Sequence, residues 1–185
     1  TWVWLRHGLG HGAAHHAANV ALQRWWTDLV FAGACRLLRL RVEVEGVERA
    51  VPGPVIVFVR HTSFADALIA AATVANRHRL ELRYVLKREL RWGPCLDIVG
   101  GRLHNVFVSR SAASRGDDIA AIARLGAGID ATSGVILYPE GTRFTPAKRA
   151  ARLDAMRREG SPFATRAAAL QHVLPPRLGG PLALL

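Results

Sequence analysis

A histidine and an aspartate five positions apart, His61 and Asp66, are the pair in this sequence best suited to acid–base chemistry. A carboxylate bonded to one ring nitrogen of an imidazole fixes its tautomer and leaves the other nitrogen free to take a proton. Such a general base contributes roughly 10²- to 10⁴-fold in rate. On a single helix the two side chains would point about 140° apart, but if His61 ends a strand and Asp66 lies in the first helical turn, the carboxylate can reach the imidazole. Alternatively, Ser63 and Asp66 form a capping box, and the pair by itself favours that structural interpretation.

A second group, Glu140-Gly141-Thr142-Arg143, follows an apolar run and is suited to binding a phosphate. Glycine lets the backbone approach a ligand closely, and arginine offers a planar fork that matches phosphate. An ordinary ion-paired loop would have the same composition, so this group is not specific by itself.

Taken together and in this order, the two groups resemble the first and third sequence blocks of the lysophospholipid and glycerophospholipid acyltransferase superfamily. That family has H-x4-D in its first block and, after an apolar strand, E-G-T-R in its third, which follows about 75 residues later in this chain. Its second block ends in an aromatic-x-x-Arg, which Phe107 and Arg110 match. Lys87 lies in a segment similar to the lysine-containing one ahead of that block. The resemblance extends over roughly residues 42–180.

Two further segments, residues 144–148 and 173–180, are similar to one branch of the superfamily. That branch contains 1-acylglycerol-3-phosphate and lysocardiolipin acyltransferases. Two positions depart from the family pattern. Arg60 stands where many members have asparagine before the histidine, and Asn105 stands where the second block usually has glycine. These departures concern the acceptor more than the acyl-transfer chemistry.

The resemblance implies an enzyme of phospholipid biosynthesis, an acyl-CoA:lysophospholipid O-acyltransferase. It would move a fatty acyl group from acyl-CoA or acyl-ACP to the free hydroxyl of 1-acyl-sn-glycerol-3-phosphate and so make phosphatidic acid. Another lysophospholipid or glycerol 3-phosphate is the alternative acceptor. The implied catalytic residues are His61 and Asp66, and the implied substrate-binding residues are Lys87, Phe107, Arg110, Glu140, Gly141, Thr142 and Arg143. The chemistry needs no metal and no cofactor besides the acyl donor.

Within that set, the resemblance implies different tasks for the charged residues and the glycine. Lys87, Arg110 and Arg143 would hold the acceptor phosphate. Glu140 would organise the glycerol end or the arginines, and Gly141 would permit a close approach.

The charge balance also predicts an anionic partner, because 25 Lys+Arg stand against 14 Asp+Glu and the net charge is +11. A basic nucleic-acid-binding module is the alternative from a different class. We expect no nucleic acid, because no known motif occurs and the arginines do not alternate with exposed aromatics. A hydrolase using the same pair with water is a third possibility, but the arginines favour a bulky phosphorylated acceptor. Two cysteines are too few for a disulfide framework or a four-cysteine zinc site.

The elements that must position these residues alternate between strands and helices, and two of the strands are continuously apolar. This pattern predicts an α/β fold with a mixed, largely parallel sheet flanked by helices. The predicted strands are 42–47, 55–59, 82–86, 105–108, 135–138 and 172–175, and the predicted helices are 14–40, 65–77, 117–129 and 148–158.

The N-terminal part is predicted to be a separate unit, with an arm and an amphipathic helix over residues 1–41 and the acyltransferase domain over 42–185. Trp25 and Trp26, with arginines around them, are typical of a helix lying in a bilayer interface. A core-packing helix is the open alternative. The longest apolar run is about half of what a spanning helix needs. We therefore expect a peripheral or monotopic enzyme on the cytoplasmic face of a membrane, with the oligomeric state open.

Two other features of the N-terminal and C-terminal segments lead to expectations. His7, His11 and His15 would align on a helix and could hold a metal, but the glycines between them favour a loose arm, so no metal site is predicted. The chain opens on Thr1 and ends in apolar residues. We therefore expect it to be part of a longer protein, in which a further C-terminal portion could complete the sheet of the acyltransferase domain.

Overall fold

A sheet of parallel strands forms the centre of the computed structural model, which describes residues 12–63, 65–93, 100–109, 111 and 113–185. Within those residues the strands are β1 (Val55–Phe58), β2 (Glu81–Lys87), β3 (Val106–Val108) and β4 (Ser133–Leu137), in the order β1-β4-β2-β3. Every pairing between them is parallel. The predicted α/β fold with a largely parallel sheet is confirmed.

Helices connect and cover these strands. They are α1 (Ala13–Leu37), α2 (Asp66–Ala70), α3 (Arg115–Gly126), α4 (Pro146–Arg158), α5 (Ala164–Ala168) and α6 (Gly179–Ala183), with a π-helical turn over Ala71–Asn76 and 3₁₀ turns over Val47–Ala50 and Arg88–Trp92. The start of α4 is fixed locally. Thr145 caps it by accepting a hydrogen bond from the Lys148 N–H, and Pro146 occupies the first turn, where it costs no hydrogen bond.

The central strand β4 is buried along its whole length, because β1 and β2 pair with its two edges. Val135 and Ile136 are fully buried, as expected of a continuous apolar strand covered on both faces. Gly134 is needed here, since a Cβ at this position would lie 2.4 Å from the carbonyl oxygen of Val55.

Two predicted strands are wrong. Residues 42–45 are irregular, and Val42 and Val44 are exposed. Their alternating apolar and polar side chains suit a strand, but this segment pairs with none of the described strands. Residues 172–175 are also irregular. Pro175 and Pro176 have no N–H to donate to a ladder, and the N–H of Leu174 is used by a side chain of the site described below.

Helix α1 presents its apolar residues to the outside. Trp25 and Trp26 are 61% and 51% exposed, whereas the buried residues of the helix are Asn19, Val20 and Thr27. Its attachment to the body includes buried Val20 and a polar contact, in which the amide nitrogen of Asn76 donates to the Thr27 hydroxyl at 2.8 Å. Among the described residues, none of the helices combines the length and the apolar character that a membrane span needs.

Candidate active site

The carboxyl ends of the parallel strands lie at one edge of the sheet, where sites in such folds gather. His61 follows β1, Glu140 follows β4, and Lys87 ends β2. Because β1 and β4 are neighbours, His61 and Glu140 come into contact. Neighbouring strands lie about 4.8 Å apart, and β2 is two strands away from β1. Lys87, at the end of β2, is therefore about 10 Å from the end of β1.

His61 and Asp66 face each other across the tight turn that joins β1 to α2. The Nδ1 atom of His61 lies 3.4 Å from Oδ2 of Asp66. The same carboxylate accepts hydrogen bonds from the backbone N–H groups of Thr62 at 2.6 Å and Ser63 at 2.8 Å. Asp66 therefore closes the turn and also reaches the imidazole, whereas the N-cap of α2 is Ala65, with no side-chain cap hydrogen bond.

The Asp66 carboxyl is held in its ionised form. Burial works to raise its pKa, but the hydrogen bonds from the Ser63 and Thr62 backbone, the Ser63 hydroxyl and His61 together lower the pKa below its ordinary value. An ionised carboxylate at this position stabilises a positive charge on the adjacent imidazole.

The lowered pKa of Asp66 predicts a specific pH dependence of stability. Its carboxylate stabilises the fold fully above the unfolded value of 3.8, and this contribution is lost as the pH falls through the lower folded value. We expect Asp66→Asn to lower the Tm by several degrees at pH 7, corresponding to about 1–3 kcal/mol. The difference from the wild type should shrink below about pH 4. Thermal melts across pH measure it.

Asp154→Asn is the control for that experiment, because the ion pair of Asp154 with Arg157 is exposed. It should change the Tm little at any pH. A pH-independent difference for Asp66→Asn would contradict the assignment.

Glu140 is a buried carboxylate, 4% exposed, that holds two separate backbone segments. Its Oε1 accepts from the N–H of His61 at 2.9 Å, and its Oε2 accepts from the N–H of Leu174 at 2.8 Å. The side chain is thus used to fix the backbone of the histidine. Both of its oxygens therefore accept hydrogen bonds from within the protein.

An aromatic ring forms one wall of the site. The Tyr138 ring lies 4.7 Å from the imidazole of His61, centroid to centroid. Burial raises the pKa of Tyr138 well above its usual range, with Tyr84 and Asp66 adding to the effect, and burial raises the pKa of Tyr84 to about 12. Both phenols stay neutral at physiological pH, so neither competes with His61 for a proton.

The Gly141-Thr142-Arg143 turn carries positive charge beside the histidine loop. Gly141 has a φ of +67°, and a Cβ there would lie 3.2 Å from Cδ of Arg177, so a side chain would be strained. The ammonium group of Lys148 donates to the Thr142 hydroxyl at 3.0 Å and to the Arg143 carbonyl at 3.2 Å. The Arg143 side chain is exposed, and no described residue forms a hydrogen bond or ion pair with it.

The backbone that follows the Gly141-Thr142-Arg143 turn is hydrogen-bonded to His61. The N–H of Phe144 donates to the carbonyl of His61 at 3.0 Å. Arg60, the departure from the family pattern, donates to the carbonyl of His172, and its guanidinium lies 6.0 Å from the centre of the Phe144 ring. Arg60 therefore ties the segment before the histidine to the C-terminal segment.

Residues 174–177 are hydrogen-bonded, directly or through Arg152, to the segment that begins the Glu140–Arg143 turn. Arg152 on α4 donates to the carbonyls of Glu140 at 3.1 Å and Pro175 at 2.6 Å. The N–H of Arg177 donates to the carbonyl of Pro139 at 2.8 Å. Burial and the nearby Arg177 lower the pKa of Arg152, and Glu140 opposes that effect.

Two of the predicted substrate-binding residues, Lys87 and Phe107, lie apart from this group. Lys87 forms an exposed ion pair with Glu89 at 3.2 Å. Phe107 is half-buried on β3, three strands or about 14 Å from β1, with the guanidinium of Arg91 at 5.4 Å from its ring centre. Arg110 lies outside the described residues.

The sequence reasoning missed three members of the site: Tyr138, Lys148 and Arg152. Tyr138 directly precedes the Pro139-Glu140 pair, and Lys148 is one of only two lysines in the chain, so both carried a sequence signal. Arg152 carried none, because it is one arginine among many on a basic helix.

Comparison with known proteins gives two matches. Residues 41–177 match the protein-family model described as Acyltransferase. Over 127 residues, 67% of this chain and 33% of the relative, the sequence is 28% identical to 1-acyl-sn-glycerol-3-phosphate acyltransferase epsilon of Mus musculus. The match thus spans about a third of that relative's length. No solved structure matches the chain.

Proposed function

The chain belongs to the Acyltransferase family, and from this premise we propose that it acylates the free hydroxyl of a lysophospholipid, with acyl-CoA or acyl-ACP as the donor. The first-choice acceptor is 1-acyl-sn-glycerol-3-phosphate, which would give phosphatidic acid; another lysophospholipid or glycerol 3-phosphate is the alternative. The observation that supports this most directly is the contact between His61 and Asp66 beside the Glu140–Arg143 turn.

The reaction follows from the orientation of the imidazole. Because Nδ1 of His61 faces Asp66, Nε2 is the nitrogen that accepts the proton of the acceptor hydroxyl. The resulting oxygen nucleophile attacks the thioester carbonyl and forms a tetrahedral intermediate. Collapse of the intermediate breaks the carbon–sulfur bond, and the imidazolium returns its proton to the thiolate. Asp66 stabilises the imidazolium between these two steps.

The acceptor phosphate is assigned to the cations of the Gly141–Arg143 turn. Arg143 presents an exposed planar fork, and Lys148 adds a second positive charge within hydrogen-bond reach of the same turn. Arg110 and Lys87 remain further proposed contacts. For Lys87 to bind phosphate it must exchange its ion pair with Glu89, which costs little because both side chains are exposed.

Replacing Arg143 with lysine should weaken the acceptor selectively. A lysine keeps the charge but loses the two parallel hydrogen bonds of the guanidinium, so we expect the apparent KM for the acceptor to rise roughly tenfold. The KM for the acyl donor should change little. Steady-state kinetics with each substrate varied in turn measures this. Arg158→Lys, at the exposed end of α4, is the matched control; an unchanged acceptor KM would remove Arg143 from the phosphate site.

The overall function is tested by an acyl-transfer assay with radiolabelled acyl-CoA and, in parallel, acyl-ACP. The acceptors are a panel of lysophospholipids that differ in head group, together with glycerol 3-phosphate. The proposal expects labelled diacyl product, fastest with 1-acyl-sn-glycerol-3-phosphate. Transfer to a different lysophospholipid would change the acceptor, and donor hydrolysis with no acylated product would overturn the proposal.

We also propose that the enzyme works at the cytoplasmic face of a membrane as a peripheral or monotopic protein. The apolar side chains that α1 turns outward support this, since Trp25, Trp26 and Leu29 are each more than half exposed. Tryptophan favours the bilayer interface, and a chain of net charge +11 favours an anionic surface.

A double replacement, Trp25→Ala with Trp26→Ala, should reduce binding to anionic liposomes by roughly tenfold, because two large interfacial side chains are lost. Flotation with phosphatidylglycerol vesicles measures the bound fraction. Phe163→Ala, an exposed aromatic between α4 and α5, should leave flotation unchanged. Equal flotation of the double variant and the wild type would place the membrane contact elsewhere.

A further inference from the structure

Two histidines and a glutamate meet at the edge of the sheet opposite to His61. Glu81 is the first residue of β2, whereas His61 follows the last residue of β1, and parallel strands separate these two ends. His16 comes from the first turns of α1, and His104 lies just before β3. Three elements that are distant in sequence thus place a metal-ligating side chain at one point.

The ligating atoms lie close together. Nε2 of His16 is 2.9 Å from Oε2 of Glu81, and Nδ1 of His104 is 3.2 Å from Oε1 of the same carboxylate. The two imidazole rings are tilted, with their centroids 4.7 Å apart. One ligand atom from each of the three residues lies within 4.8 Å of the other two.

The two histidine–glutamate separations are near those of a metal centre. Zinc binds imidazole nitrogen and carboxylate oxygen at about 2.0–2.2 Å, so two ligands of a tetrahedral ion are about 3.4 Å apart. The distances from both histidines to Glu81 would need to open by only a few tenths of an ångström. That adjustment is within reach of side-chain rotation, because the His104 side chain is 60% exposed and those of His16 and Glu81 are about a quarter exposed.

The donor set points to the class of ion. Two neutral imidazoles with one carboxylate suit a divalent first-row transition metal, zinc above all, and are poor ligands for calcium or magnesium, which take mainly oxygen. The exposed side of His104 leaves room for water to complete the coordination.

We propose that His16, Glu81 and His104 bind one divalent transition-metal ion, with zinc as the best match, and that the ion fastens α1 to the sheet. It would join α1 to the start of β2 across 65 positions of sequence. The site is structural, because the catalytic pair lies at the other end of the strands. This site is not the row formed by His7, His11 and His15 in the sequence, of which His7 and His11 lie outside the described residues. The proposal would replace the expectation that the chain has no metal site.

The test uses the full chain without an affinity histidine tag, treated with EDTA, desalted and kept at pH 7.5. Equilibrium dialysis against zinc, followed by elemental analysis, should give one tightly bound ion per chain. At a hundredfold excess of zinc over its Kd, the Tm should rise by roughly 5–10 °C. Substituting Co²⁺ should produce visible absorption typical of tetrahedral coordination.

His104→Gln is the discriminating variant, since this exposed side chain is the ligand least needed for folding. It should lower zinc affinity by at least about 10-fold and, at the same zinc concentration, remove about half of the Tm rise or more. His172→Gln, another exposed histidine, is the matched control and should behave as the wild type. Absence of stoichiometric zinc, or the same affinity and Tm rise in His104→Gln as in the wild type, would overturn the proposal. Because the readout is metal content and Tm, failure of the acyl-transfer assay would not affect this result.

Discussion

Replacing His61 with alanine is expected to lower kcat for acyl transfer by roughly 10²- to 10⁴-fold, the contribution of a general base. Among the described residues of the site, only His61 combines a carboxylate on Nδ1 with a second ring nitrogen directed away from it. The neighbouring phenol of Tyr138 has a raised pKa and cannot replace it as a base near neutral pH. The measurement is the initial rate of labelled diacyl product at saturating donor and acceptor.

The controls separate loss of the base from loss of the fold. The described contacts of the His61 side chain, with Asp66 and the Tyr138 ring, lie beyond the strand ends, so the variant should retain its Tm within a few degrees. His172→Ala, which removes an exposed imidazole, should retain full activity. If His61→Ala kept more than a few per cent of the wild-type rate, another group would have to be the base.

Glu140→Gln is expected to have the second-largest effect and to act on stability and activity together. The carboxylate accepts from the N–H groups of His61 and Leu174, whereas an amide can accept from only one and turns its own NH₂ toward the other. A buried donor left without a partner costs about 1–3 kcal/mol. For a chain of this size that predicts a Tm lower by roughly 3–10 °C.

The same substitution should reduce kcat by roughly 10²-fold, because it releases the backbone of His61, the proposed base, and small misplacements are costly. Thermal melts and initial rates measure the two effects. Glu159→Gln, at the exposed end of α4, should change neither. A Glu140→Gln protein with a normal Tm but a raised acceptor KM would instead favour direct contact of Glu140 with the substrate.

Much of the site could be read from the sequence because its chemistry is local. The turn from β1 to α2 contains both His61 and Asp66, and the turn after β4 contains Glu140 to Arg143 in one run. The strands before them are continuously apolar, and such runs predict buried parallel strands that end where the polar residues begin. The same local patterns failed at residues 42–47 and 172–175, where alternation or an apolar run had no neighbouring strand to pair with.

The sequence by itself determined the α/β class, the two motif turns and the residues that could act as base, orienting acid and phosphate contact. Only the tertiary structure decided which of them touch. The order β1-β4-β2-β3 makes His61 and Glu140 neighbours across 79 positions and sends Lys87 and Phe107 further along the sheet. It also turned the tryptophans of α1 outward and joined His16 to Glu81 and His104. These outcomes depend on which strands pair and which helix face is covered, and such long-range contacts leave no periodic signal along the chain.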